Sequence, residues 1–167
     1  MKEVFTISTI TYREIPSPRE KSAVCENTLR ALPDWFGNEA AIVDYAGQVR
    51  GLPLCAAFDG DVPVGFVALK RHNEFTAEVC VMGVLQAYHR RGIGKKLIEW
   101  CEGQCAAQGM RFLTVKTLDA SAESAGYGRT RAFYRACGFI PLEVFPTIWD
   151  EDNPCLFLAK CMSETCK

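Results

Sequence analysis

Long hydrophobic runs are missing from these 167 residues, and without about eighteen consecutive apolar side chains no helix is expected to cross a bilayer. An excess of one charge is also missing. Lys and Arg number 19 against 20 Asp and Glu, for a formal charge of -1, so no basic field marks a nucleic-acid binder, and any contact with an anion must come from a local cluster. Histidine is scarce, with only His72 and His89. The nine cysteines contain no CxxC pair, so no structural metal is expected. The odd cysteine count, the chain length and the acidic Glu3 in an N-terminus without a leader-like apolar run argue against a disulfide scaffold; the expected location is cytoplasmic, with reduced thiols. Repeats, low-complexity tracts and linkers are absent, so residues 1–167 read as one domain. What is present, 49% apolar and 11% aromatic residues, is enough to build a core.

Local signals divide the chain into strands and helices. Residues 4–10 alternate weakly as a first strand. Ser17-Pro18 reads as an N-cap followed by proline at the first helical position, and Asn38 caps a second helix that ends before Gly51 and Pro53. Residues 53–58 and 62–70 are β-like runs joined by the Asp59-Gly60-Asp61 turn, and residues 75–85 form a third strand with a possible bulge at Gly83. Arg91 to Gln108 is helical, with Ile93, Leu97, Ile98, Cys101 and Cys105 on one face and Gly109 as the stop. A strand at 111–118, a helix at 129–137 and a strand pair at 141–145 and 154–160 complete the order.

The stretch Met82-Gly83-Val84 through His89-Arg90-Arg91-Gly92-Ile93-Gly94-Lys95-Lys96 carries the most chemistry. A strand enters a loop whose glycines sit at the first turn of a helix, so backbone N–H groups and the positive end of the helix dipole converge on one point suited to phosphate. Gly92 and Gly94 allow close approach of an anion, and four cationic side chains surround them. The spacing is neither that of a Walker loop nor GxGxxG. The same glycines would also serve simply to start a helix beside a solvated basic face.

His89-Arg90-Arg91-Gly92-Ile93-Gly94 resembles the Gln/Arg-x-x-Gly-x-Gly/Ala signature of the GNAT superfamily of N-acetyltransferases, with His89 in place of the usual Gln or Arg. Arg131 to Phe139 is similar to the late helix of that family, which ends in Tyr-x-x-x-Gly-Phe, although Tyr127 stands where many relatives carry Asn. The resemblance implies an α/β fold of mixed α+β type: a central, mostly antiparallel mixed sheet of six or seven strands, splayed after the strand ending near Val84, with helices on both faces. It implies acetyl-CoA as co-substrate, with pyrophosphate in the loop at Arg91 to Lys95 and pantetheine along Met82, Gly83 and Val84. His89, Arg90 and Lys96 flank that loop. The implied activity is N-acetyl transfer to a primary amine of a small molecule or peptide by direct attack in a ternary complex. A non-catalytic acyl-CoA sensor or interaction module is the alternative. No nucleic-acid or membrane partner is implied, and the protein is expected to be a monomer or homodimer.

An ammonium group, with a pKa of about 10.4 in lysine, must lose a proton before it can attack a thioester, and the departing thiolate must gain one. Tyr134 stands where the family places its general acid; packing beside Phe133 and Phe139 is the competing role. Glu78 is the candidate base, and its distance ahead of Gly92 resembles that of the strand-borne glutamate that serves as base in the histone-acetylating branch of the family. A carboxylate among apolar neighbours would have its pKa raised; an outward, solvated strand position would serve no such purpose, and one residue of register decides between them. Neither His72, in a turn, nor His89, across the loop, is expected to act as the base. Cys80 and Cys137 read as packing residues. The resemblance implies that the first inter-helix loop and the late hairpin frame the acceptor, which brings Trp35 and Phe36 together with Trp149 and Asp150, aromatic and acidic groups suited to a cationic amine.

Overall fold

Ser17 Oγ accepts from the Glu20 amide at 3.3 Å and Pro18 occupies the first helical position, so α1 (Pro18–Arg30) begins where its local sequence directs. Asn38 caps α2 (Glu39–Gln48) in the same way, accepting from the Ala41 amide at 3.2 Å. The computed structural model describes residues 9–162. The strand expected at 4–10 falls largely outside them; the strand observed is β1 (Ile10–Glu14).

A glycine turn at Gly60, with φ of 59°, closes β2 (Leu54–Asp59) on β3 (Val62–Arg71), and β4 (Thr76–Val84) pairs antiparallel with β3. Then follow α3 (Ile93–Ala107), β5 (Phe112–Leu118), α4 (Ala125–Ala136), β6 (Ile140–Asp150) and β7 (Asn153–Cys161). The helix expected at 129–137 thus starts a turn earlier, at Ala125, after Ser124. The strand order is β1-β2-β3-β4-β5-β7-β6, with β4–β5 the only parallel pair among the described residues. This is the mixed, mostly antiparallel sheet expected from the sequence.

Alternation along the strands supplies two cores. Ile93, Leu97, Ile98, Cys101 and Cys105 of α3 pack on Val67, Val79, Leu113 and Val115, while Val24, Cys25 and Leu29 of α1 and Ile42 of α2 pack on Leu54, Ala56, Phe58 and Phe66 of the opposite face. Each fully buried leucine, such as Leu29 or Leu97, contributes about 1.5–3 kcal/mol. Cys101 and Cys105 are fully buried, as small core residues. Among the described residues seven cysteines are free thiols, but Cys161 is disulfide-bonded, so the expectation of uniformly reduced thiols does not hold there.

The bulge in β4 lies not at Gly83 but at Cys80. Ala68 pairs with Val81 and Leu69 with Val79, which leaves Cys80 as the extra residue. It inverts the alternation: Ala77 and Val79 face α3, whereas Val81 faces α1 and α2. Gly83 keeps regular register, and its missing Cβ admits α1, because a methyl there would meet Leu32 Cδ1 at 3.0 Å and Thr28 Cγ2 at 3.2 Å.

Candidate functional site

Past the bulge the sheet opens. β4 pairs with β5 only from Thr76 to Val79, yet β4 runs on to Val84 beside β3, so Met82, Gly83 and Val84 lie on a strand edge that β5 has left. The parting begins at Cys80, earlier than the strand end near Val84.

At the end of β4, Leu85 leads through a short turn into the glycine loop. Arg90 and Gly92 both take left-handed backbone conformations, at φ 61° and 78°, and no side chain caps the start of α3. The first helical amides therefore keep their hydrogen-bonding capacity, beside the exposed side chains of Arg90, Arg91, Lys95 and Lys96. The two glycines serve different needs. A Cβ on Gly92 would stand in open space, whereas one on Gly94 would meet the Phe133 ring at 3.0 Å, so Gly94 lets α4 approach α3 and Gly92 supplies the turn.

Side chains fix this loop from behind. His89 donates from Nε2 to the Val84 carbonyl at 2.7 Å and meets the Trp35 ring edge-on. Tyr88 donates to Asp59 Oδ2 at 2.7 Å, and the Arg91 guanidinium lies 4.9 Å above the Tyr88 ring. Lys96 pairs with Glu99 at 2.9 Å. Arg91 thus faces the loop from an aromatic support, whereas Lys96 is partly neutralised.

Tyr134 of α4 is buried at 5% exposure among core residues, in tilted and edge contacts with Phe133 and Phe139. Burial pushes its phenol up, and Cys101, Cys137, Tyr127 and Tyr45 act in the same direction. Both the packing role and the donor role are therefore open to it: at neutral pH it stays a protonated O–H. Tyr45 sits on α2, against the opposite core, and is itself pushed up to about 12 by burial, with Cys80, Tyr127 and Glu78 adding to the shift.

Glu78 lies on β4 before the bulge, on the α2 side, and is buried at 8% exposure. Its surroundings are not purely apolar, as the sequence suggested. Lys116 donates to Oε1 at 2.8 Å and His72 bonds Oε2. Lys116 is the site residue that sequence reading passed over, and His72, read as a turn residue and not expected to act as the base, is brought onto Glu78. The signal for Lys116 is the parallel register, Glu78 opposite Thr114, which brings alternate β5 residues to the same face; that for His72 is the tight turn joining β3 to β4.

Trp35 packs into the structure: its Nε1 donates to Thr130 Oγ1 at 3.0 Å, and its carbonyl accepts from the Tyr127 hydroxyl at 2.6 Å. Phe36 meets Tyr45 edge-on. Trp149 is 45% exposed, and Asp150 accepts from the Asp152 amide at 2.9 Å and from Asn153 Nδ2 at 2.8 Å, which shapes the β6–β7 turn. Glu78 thus stands in the last paired stretch of β4, Tyr134 in the α3-side core and Tyr45 against the opposite core, while Trp149 and Asp150 stay at the hairpin end and Trp35 ties the first inter-helix loop to α4.

Residues 14–139 match the family described as acetyltransferase (GNAT). The chain belongs to the GNAT acetyltransferase family. It is 28% identical over 133 residues to an uncharacterized N-acetyltransferase of Chlorobaculum tepidum; the match takes in 78% of this chain and 66%, just under two thirds, of that relative. A GNAT-family acetyltransferase structure from Desulfovibrio desulfuricans superposes with a TM-score of 0.79 at 16% identity, covering 93% of this chain and 100% of the other. An aminoglycoside 6'-N-acetyltransferase solved with coenzyme A superposes with a TM-score of 0.72 at 18% identity, covering 92% and 97%. At these identities the structural likenesses establish the GNAT fold, and the residues of this chain must carry the chemistry.

Proposed function

We propose that this GNAT-family chain is an acetyl-CoA-dependent N-acetyltransferase that acetylates a primary amine by direct attack in a ternary complex. The carrying observation is the opening of the sheet after Val79, which leaves the end of β4 unpaired by β5 and leads into the glycine loop; Glu78, just before the opening, and Tyr134, in the α3-side core, are the groups this reading gives the chemistry to. The residues present suit coenzyme A. Uncapped α3 amides and a loop with two left-handed residues would hold the diphosphate with Arg90, Arg91 and Lys95, and the free edge at Met82, Gly83 and Val84 would pair with the pantetheine amides. Bound there, acetyl-CoA supplies the acetyl group as a thioester.

Glu78 accepts the proton of the acceptor ammonium, so that a neutral amine attacks the carbonyl carbon. Tyr134 donates its phenolic proton to the leaving sulfur, and the low demand of a thiol with a pKa near 8.5 makes a phenol sufficient. Because burial pushes the Tyr134 phenol up, it stays protonated and ready to donate throughout the neutral range. Phe36, packed on Tyr45, and Trp149 at the hairpin flank the acceptor, with Trp35 holding the loop and Asp150 shaping the turn.

A thiol-release screen with acetyl-CoA against amino acids, polyamines, aminoglycosides and peptides tests this reading. At least one amine should drive turnover, and Tyr134→Phe should lower kcat about a hundredfold while coenzyme A affinity holds. Tight coenzyme A binding with no turnover for any amine would indicate an acyl-CoA sensor instead.

A further inference from the structure

Two ionisable side chains from separate elements meet at the Glu78 carboxylate. Lys116 of β5 holds Glu78 Oε1 at 2.8 Å, and His72 of the β3–β4 turn bonds Oε2 through Nε2. Exposure is graded outward, from 10% for the Glu78 side chain through 28% for Lys116 to 36% for His72. The cluster floors a depression of about 200 Å³ whose walls include Phe145, Ile148 and Phe157. Burying a carboxylate under such walls costs several kcal/mol in desolvation, which a structural role alone would not require, since apolar residues would pack the sheet face equally well.

We propose that His72 is the route by which Glu78 returns its proton to solvent, and that Lys116 is the positioning residue that keeps the proton on the oxygen shared with His72. The inference rests on Glu78 as the base. In the first step an N–H bond of the acceptor ammonium breaks and an O–H bond forms on Glu78 Oε2, leaving the electron pair on nitrogen for attack. Lys116 occupies Oε1, so the proton stays on Oε2. In the second step His72, neutral with its proton on Nδ1, takes that proton on Nε2 as the O–H bond breaks, restoring the carboxylate. The imidazolium then gives its Nδ1 proton to water at the rim, and exchange with water returns the neutral ring to its Nδ1–H form before the next turnover. Each carboxylate oxygen has a second lone pair, so Oε2 can face the amine and His72 together.

The other ionisable groups around Glu78 do not offer this route. Lys70 is its register partner on β3 and carries charge of the wrong kind to accept a proton; Asp44 is an exposed residue of α2. Tyr45 of α2, Cys80 of β4 and Cys155 of β7 are all pushed up by burial, so they stay protonated at neutral pH.

The test is steady-state thiol release by the full chain with the best amine from the screen. His72→Ala should lower kcat about ten- to a hundredfold with KM for both substrates within about twofold, and added imidazole should restore much of the rate because the vacated site is at the rim. Lys116→Met should lower kcat without imidazole rescue. Unchanged kcat in His72→Ala, or a loss that imidazole leaves untouched in a variant of unaltered thermal stability, overturns the outlet. Glu78→Gln separates the two readings: if it is inactive while His72→Ala is fully active, only the outlet falls, whereas an active Glu78→Gln removes the base and the outlet with it.

Discussion

The indole of Trp35 donates to the hydroxyl of Thr130 at 3.0 Å, joining residues 95 positions apart. This bond ties the loop between α1 and α2 to the first turns of α4, the helix that carries Tyr134. Gly126 completes the joint, since a Cβ there would meet Trp35 Cε2 at 3.1 Å.

Removing the indole should therefore loosen α4. Trp35 is half-buried, so Trp35→Ala is expected to cost about 2 kcal/mol, less than for a fully buried ring. Trp35→Phe, which keeps most of the packing and loses the bond to Thr130, should cost about 1 kcal/mol. Urea unfolding measures both, and a Trp35→Phe variant as stable as the parent would contradict the role given to the bond.

The two loop glycines should fail differently. Gly94→Ala drives a methyl into the Phe133 ring, so it should destabilise the fold by about 1–3 kcal/mol and reduce turnover through displaced α4. Gly92→Ala meets no neighbour but must hold φ near 78°, a cost of about 1–2 kcal/mol confined to the loop. Its principal effect should be weaker coenzyme A binding, read by calorimetry. Identical stability and binding profiles for the two variants would contradict this division.

Stability should fall steeply in alkali. Burial pushes the Cys25 thiol from its ordinary value near 9 up to about 12, and Cys55 and Cys105 up to about 11. Above pH 9 the unfolded chain releases these protons and the folded chain retains them, so the native state binds more protons and loses stability as pH rises toward 11–12. One such thiol contributes a slope of about 1.4 kcal/mol per pH unit in that window. Chemical denaturation of Cys25→Ala between pH 8 and 11, under reducing conditions, should give a shallower fall than the parent by up to about that amount per pH unit.

Local chemistry in the chain determined a good deal by itself. Ser17-Pro18 and Asn38 set helix starts because each cap acts within three residues, and Gly60 closes a hairpin because the turn needs its left-handed backbone. The strand-to-helix junction at Gly92 and Gly94, and the family it points to, were legible for the same reason, since the amides and the glycines that expose them are contiguous. Tertiary structure alone decided where the sheet opens. The opening coincides with one extra residue at Cys80, and a single-residue change of register turns every later side chain to the other face, which no alternation in the sequence announces. It also decided the company Glu78 keeps. Lys116 reaches it only through a parallel pairing 38 positions away, and Trp35 reaches Thr130 only across the packed layers. Such contacts form only once the loop-closure entropy between distant segments has been overcome by burial of the whole core, so they belong to the fold and to no short stretch of the chain.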